Sequence, residues 1–295
     1  MKIAIIGGSG YIGQNLIESL SASTDHDIIS ISRRAEAAKY SHKNVTAVNC
    51  SVFDTDQLHG LIKDCDIVYY LVHMMAQDGD FTEAEERAAK SLVDSTKGTS
   101  VKRIIYLGGL GADSDKLSKH LISRHHTGEL LRQAQAPVIE FRASMIVGEG
   151  SVSYDIITNL VHKLPVLTLP KWAKTPTQPI CLGDVITYLS EAVDVSISQS
   201  EVVEVGGPDK MSYEQLIREY ATLNRNRVLL IYLPFIPISV AAWWLQIFTP
   251  PKHAKVGGAM VESLANPMLV TSPLAGKIFP NIKPHNVKDC LAPGM

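Results

Sequence analysis

The sequence predicts an α/β protein: a doubly wound parallel sheet followed by a smaller, irregular C-terminal region. Three observations carry this. Apolar strands and amphipathic helices alternate with little wasted chain over the first half. Glycines cluster directly after the first strand and before the first helix. After about residue 145 the alternation stops and prolines become frequent, as in "KLPVLTLPKWAKTPTQPI".

"KIAIIG" is a short apolar strand, and "SGYIGQNLIESL" has helical spacing. "HDIISISR" and "NVTAVNC" are strand-like. "DTDQLHGLI" opens with Asp54 and carries Gln57 three residues later, a capping-box-like start. "CDIVYYLV" is a buried strand, followed by the acidic helix "FTEAEERAAKSLVDST". Then come the strand "VKRIIYLGG", a helix containing "LSKHLISRHHTGEL", and the strand "PVIEFRAS". This order implies right-handed βαβ units and a sheet covered on both faces. Beyond it lie a helix around "DVITYLSEAV", a strand "EVVEV", a turn "GGPD" and a helix "SYEQLIREYA". We therefore divide the chain into a dinucleotide-binding part, 1–147, and a substrate or lid region, 148–295, interleaved with the first.

Composition narrows the function classes. The chain has 295 residues, 45% hydrophobic and 20% charged, as in a globular protein with a real core. A net charge of −2 gives no field suited to nucleic acid. Cys50, Cys65, Cys181 and Cys290 are scattered, without metal-ligand spacing or a disulfide framework, which fits a reducing cytoplasm. The first residues hold too few apolar side chains for a secretory core. Between Arg227 and Lys252 run 24 uncharged residues, long enough to span a bilayer. Pro234 and Pro237 divide them into a strand-like "VLLIYL" and an "ISVAAWWLQIF" that reads as a buried or interfacial helix.

The glycine loop carries the chemistry. Gly8, Gly10 and Gly13 fit G-x-G-x-x-G, and Gly7, Gly10 and Gly13 fit G-x-x-G-x-x-G. Such a loop turns tightly, admits a pyrophosphate to the backbone and aims a helix N-terminus at it. Ser9, Tyr11 and Ile12 fill the positions between, so Gly7, Ser9, Gly10, Tyr11, Ile12 and Gly13 are the expected phosphate loop of a Rossmann-type fold. At the end of the second strand stand Ser32, Arg33 and Arg34, with no acid to hold a ribose 2′-hydroxyl. Two guanidiniums suit a 2′-phosphate, which favours NADP(H) over NAD(H). After the fourth strand, Leu71, Val72 and His73 should run beside the cofactor. Met74 and Met75 could shape an adaptable apolar substrate pocket, with Trp172 and Gln178 lining the cleft from the proline-rich loop.

"GGSGYIG", "RIIYLGGLG", "LSKHLISRHHTGELLR" and "EFRASMIVGEGS" together resemble an atypical member of the short-chain dehydrogenase/reductase superfamily. More narrowly they are similar to its NmrA-like and complex I subunit-like NAD(P)H-binding group, as are "QPICLGDVITYL", "VEVGGPDKMSYEQL" and "RVLLIYLPFIPISVAAWWLQIFTP". The resemblance implies an adenine contact at Ser51 and Val52, where the family usually has an acid and a backbone N–H. It also implies a Tyr-x-x-x-Lys pair and a serine or threonine on the preceding strand. This chain has His120 and Arg124 at the pair, and Gly108 or Gly109 at the hydroxyl, with Gly108 facing the cofactor. The usual triad is lost at all three places.

His120 and Arg124 lie one helical turn apart on the same face, whereas His125 lies roughly 140° from His120. Three histidines therefore do not converge, and no metal is expected. Arginine can replace lysine as a fixed cation, and a histidine can serve acid–base chemistry, with the cation favouring its neutral form. The leading expectation is an NADP(H)-dependent oxidoreductase acting on a small apolar carbonyl or quinone-like substrate. The alternative is a non-catalytic NADP(H)-binding redox sensor or scaffold with a protein partner. A membrane-surface contact, suggested by "ISVAAWWLQIF", is a third reading.

Overall fold

A computed structural model describes residues 1–34, 40, 42–75, 80–112, 117–233, 235–236 and 262–292. The first half runs β1 (Lys2–Ile6), α1 (Tyr11–Ser23), β2 (Asp27–Ser32), β3 (Val45–Asn49), α2 (Thr55–Ile62) and β4 (Ile67–Tyr70). It continues with α3 (Phe81–Ser95), β5 (Arg103–Gly109), α4 (Lys119–Leu131) and β6 (Val138–Ala143). The second half contains β7 (Ile146–Val147), α5 (Val152–Lys163), β8 (Val166–Leu169), β9 (Pro176–Thr177) and β10 (Ile180–Cys181). It then has α6 (Leu182–Glu191), β11 (Glu201–Val205), β12 (Met211–Ser212), α7 (Tyr213–Leu223) and β13 (Leu229–Tyr232). Two short helices follow, α8 (Leu274–Ile278) and α9 (Val287–Leu291).

Seven strands form one sheet in the order β11-β6-β5-β4-β1-β2-β3. All its pairings are parallel. A parallel sheet must be covered on both faces, and the sequence supplies this as near-continuous apolar runs. Every residue of β4 and β6 is buried. One face packs α1 and α6 through Leu16, Ile17, Leu20, Val185 and Leu189. The other packs α2, α3 and α4 through Leu58, Ile62, Ala88, Leu92 and Leu131. The strand order reverses between β1 and β4, which opens a crevice at the carboxyl ends of the strands.

The second half is not separate from this sheet. β11 pairs with β6, with Val203 beside Phe141, and so supplies the seventh strand. β13 and β8 pair as a small parallel ribbon. The start of α2 departs from a full capping box. Asp54 accepts from the Gln57 N–H at 3.1 Å, but the Gln57 amide turns to the Asn49 carbonyl instead. The reciprocal box occurs at α7, between Ser212 and Gln215.

The cysteine reading needs correction. Cys181 and Cys290 form a disulfide, with Cα atoms 5.0 Å apart at a sequence separation of 109. Sequence spacing hid the pair because only folding brings α9 against β10. Cys50 and Cys65 are free and buried. Cys290→Ser should lower stability by about 2 kcal/mol, because a long closed loop in the unfolded chain is released. Denaturant unfolding of both proteins without reductant checks this; equal midpoints would show that the bond contributes nothing.

Among the described residues no helix is long and apolar enough to cross a membrane. "VLLIYL" contains β13 as expected, while Pro234 and "ISVAAWWLQIF" lie outside the described residues.

Candidate functional site

Two cavities, each of about 230 Å³, open at the carboxyl ends of the central strands. The first is lined by Gly7, Ser9 and Gly10 from the glycine loop, Ser32, Arg33 and Arg34 after β2, and Val52. Leu71, Val72, His73 and Met74 close it from the β4 side. Gly7 has φ +93°, and a Cβ there would lie 2.8 Å from the Leu71 carbonyl oxygen, so this backbone approach requires glycine. A Cβ on Gly13 would run into the Gly7 carbonyl oxygen, which is how α1 packs so close behind the turn.

The groove fits a dinucleotide. Gly10 is the N-cap of α1 and has no side-chain cap, and the first turn holds no acid. The N–H groups of that turn are therefore open to an anion. The Ser32 hydroxyl is buried without a hydrogen-bond partner in the groove wall. Arg33 and Arg34 beside it are exposed, and neither makes an ion pair among the described residues. Val52 lines the groove, whereas Ser51 stands behind it and accepts from the Phe53 N–H at 3.3 Å. Tyr11 turns away: its hydroxyl donates to the Glu149 carbonyl at 2.8 Å. Burial and the nearby Asp155 and Glu149 push that hydroxyl up to about 12.

The second cavity begins where the first ends. Leu71 and His73 line both, and Ile12, Gly108, His120 and Arg124 line the second. Its remaining wall is largely apolar, from Leu121, Met145, Ile146, Leu264 and Met268. The His73 and His120 rings lie 5.4 Å apart. Burial, followed by the Arg124 charge, pushes His120 down to about 3. The same causes hold His73 well below the usual histidine range. Both are neutral imidazoles at neutral pH. His73 Nδ1 faces the Met75 N–H at 3.4 Å, and His120 Nδ1 is buried without a partner.

Arg124 is held rigidly. Its guanidinium donates to the Val72 carbonyl at 3.2 Å and to the Leu107 carbonyl, and its Cζ lies 4.8 Å from the Tyr106 ring centre. The two glycines at the end of β5 are closely packed. A Cβ on Gly109 would lie 2.8 Å from Leu121 Cδ2, and one on Gly108 would lie 3.2 Å from the Tyr106 ring. His125 reaches back to the Gly109 carbonyl at 3.1 Å, while His126 stays on the surface beside Glu129.

The other expected substrate contacts sit elsewhere. Met74 lines the first cavity and packs into the core under α3, and Met75 is buried outside both cavity linings. Trp172 packs edge-on against Tyr213, with ring centres 6.2 Å apart. Gln178 donates to the Gly207 carbonyl at 2.7 Å and accepts from the Val270 N–H at 3.0 Å. Neither lines the second cavity. The sequence reading missed Glu85, which is 2% exposed on α3. Its Oε1 lies 3.8 Å from Arg124 Nη1 and accepts from the Met74 N–H at 3.3 Å, and its Oε2 accepts from the Ser123 hydroxyl. A signal existed: residues 85, 88, 89 and 92 share one helical stripe, and the other three are apolar core.

Comparison with known proteins agrees with this architecture. Residues 7–144 match the NAD(P)H-binding family. The auxiliary protein GraX of Staphylococcus aureus is 24% identical over 123 residues, which is 40% of this chain and 39% of GraX. A nucleoside-diphosphate-sugar epimerase from Staphylococcus aureus superposes with a TM-score of 0.78 at 14% identity, covering 99% of both chains. The NADPH-dependent quinone oxidoreductase QOR2 from Escherichia coli, complexed with NADPH, superposes with a TM-score of 0.76 at 17% identity, covering 98% of both chains. The glycine cradle and the reversed strand order thus fall within a segment, residues 7–144, that matches the NAD(P)H-binding family, and the chain shares its fold with these epimerase and reductase structures along its length.

Proposed function

We propose that the protein is an NADP(H)-dependent oxidoreductase that reduces a small, apolar carbonyl or quinone-like substrate. The observation that carries this reading is the junction of the two cavities at Leu71 and His73, so that a dinucleotide in one would end at the mouth of the other. Arg33 and Arg34 hold the 2′-phosphate, and the N–H groups of the first turn of α1 hold the pyrophosphate. The bound nicotinamide supplies the hydride. The apolar wall of the second cavity excludes water and receives the substrate. His120, as a neutral imidazole, hydrogen-bonds the substrate oxygen as negative charge develops on it, a solvent proton entering at the cavity mouth completes the reduction, and Arg124 fixes the shape and field around it. The quinone oxidoreductase among the structural neighbours lends support to the substrate class. A cytoplasmic place of work, where NADPH is regenerated, belongs to the same reading; it rests on the cofactor alone, because the Cys181–Cys290 disulfide removes the cysteine argument for it.

The test is a parallel fluorescence titration with NADPH and NADH, then turnover of a quinone and carbonyl panel by the wild type and by His120→Ala. NADPH should bind much more tightly than NADH, and His120→Ala should slow turnover by 10-fold or more, the range of a lost positioned hydrogen bond. Failure of both nucleotides to bind would sink the reading. The crowding at Gly108 and Gly109 favours one rival, a non-catalytic NADP(H) sensor. Tight NADPH binding with no turnover across the panel would select it.

A further inference from the structure

We propose that Glu85 sets the charge of the second cavity: by cancelling the Arg124 guanidinium from behind, it restricts that cavity to uncharged substrates and rejects carboxylates. The inference rests on the reading of this cavity as the substrate site. Among the described residues, Arg124 is the one permanently charged side chain in its lining. A guanidinium that is 6% exposed in an apolar wall would ordinarily draw an anion. The carbonyls of Val72 and Leu107 and the Tyr106 ring turn toward it, yet each offers only partial charge.

The full countercharge is the Glu85 carboxylate, 3.8 Å from Nη1 and outside the cavity lining. Its position is over-determined. The Ser123 hydroxyl, next to Arg124 on α4, and the Met74 N–H, next to His73, both donate to it. One carboxylate on α3 thereby ties together the two segments that meet at the junction of the cavities. His73 and His120 add no charge, since both are neutral at pH 7. The described lining is thus neutral because of a group outside it. Glu85 is a positioning residue and a charge partner, not a catalytic one.

Glu85→Gln keeps the size and one acceptor for the Met74 N–H, turns the other atom into a donor to which the Ser123 hydroxyl can rotate as acceptor, and removes the charge. The probes are benzoate and its neutral counterpart benzamide, titrated calorimetrically into the full-length protein without nucleotide. Benzoate affinity should rise by about 10-fold in Glu85→Gln, with benzamide unchanged, and the gain should vanish in Glu85→Gln/Arg124→Gln. A merely structural loosening would move both probes together. The mirror experiment uses Arg124→Gln, which leaves the carboxylate unbalanced and should tighten binding of the cation benzamidine by a similar factor. It also reads the same charge if Glu85→Gln does not fold. Unchanged benzoate affinity in a folded Glu85→Gln, or a gain that survives in the double variant, overturns the proposal. If benzoate affinity rises as expected but the wild type reduces no quinone or carbonyl, the charge role stands and the oxidoreductase reading alone falls.

Discussion

Replacing Arg33 and Arg34 together by alanine is expected to weaken NADPH binding by roughly 100-fold while leaving NADH within about twofold. Both arginines line the first cavity directly after β2, beside the Ser32 hydroxyl that lacks a partner. A 2′-phosphate there would receive two guanidinium forks and one hydroxyl. Charge-assisted hydrogen bonds contribute about 1.5–3 kcal/mol each, and exposure places these two near the lower end. Two such losses sum to about 3 kcal/mol, hence the factor. NADH has no 2′-phosphate, so it reports on the glycine loop alone. The same electrostatics make the wild-type preference salt-dependent, shrinking as ionic strength rises. Fluorescence titration of both nucleotides against both proteins is the measurement. A parallel loss for NADPH and NADH would mean that the arginines support the loop and do not read the phosphate.

The parts of this molecule legible in the sequence are those fixed by local chemistry. The glycine loop follows from turn geometry, and Gly7 and Gly13 sit where a Cβ would strike backbone. The parallel, doubly covered sheet follows from alternation and handedness, whereas its strand order becomes visible only in the structure. His120 and Arg124 share a face because they are four residues apart on α4, and both line the second cavity. What stayed hidden depends on contacts distant in sequence. Glu85 is one of three glutamates on α3, and its inward position gains meaning only against Arg124, thirty-nine residues later. The Cys181–Cys290 bond needs α9 folded against β10. Met74 lines the first cavity and not the second because the chain after β4 runs beside α3, where its N–H meets Glu85. Trp172 and Gln178 sit in a segment without periodicity, so no rule linked them to Tyr213 or Gly207.

Stability should fall by about 3 kcal/mol through His120 alone as pH drops from 7.5 to 4, with His73 adding to the loss. The sign follows from proton counting. In the unfolded chain histidine titrates near 6.5. In the folded protein, burial and then Arg124 hold His120 down to about 3. Below pH 6.5 the unfolded state binds a proton that the native state refuses. Stability from this group is therefore complete above about pH 6.5 and drains away as pH falls toward 3. His285 acts in the opposite sense, because Asp184 raises its pKa, but its side chain is half exposed and contributes little. Asp66 and Asp80 are held below the usual carboxylate range and remain ionised over most of this window. Urea unfolding at pH 7.5 and pH 4 measures the loss, and His120→Asn should flatten it by removing the titrating group. An identical pH slope in His120→Asn would show that His120 titrates normally and that the junction of the two cavities is wetter than its packing implies. A flattened slope would mean that the imidazole is kept neutral at the cost of acid stability. A site that needs an uncharged hydrogen-bonding group beside Arg124 would impose that cost.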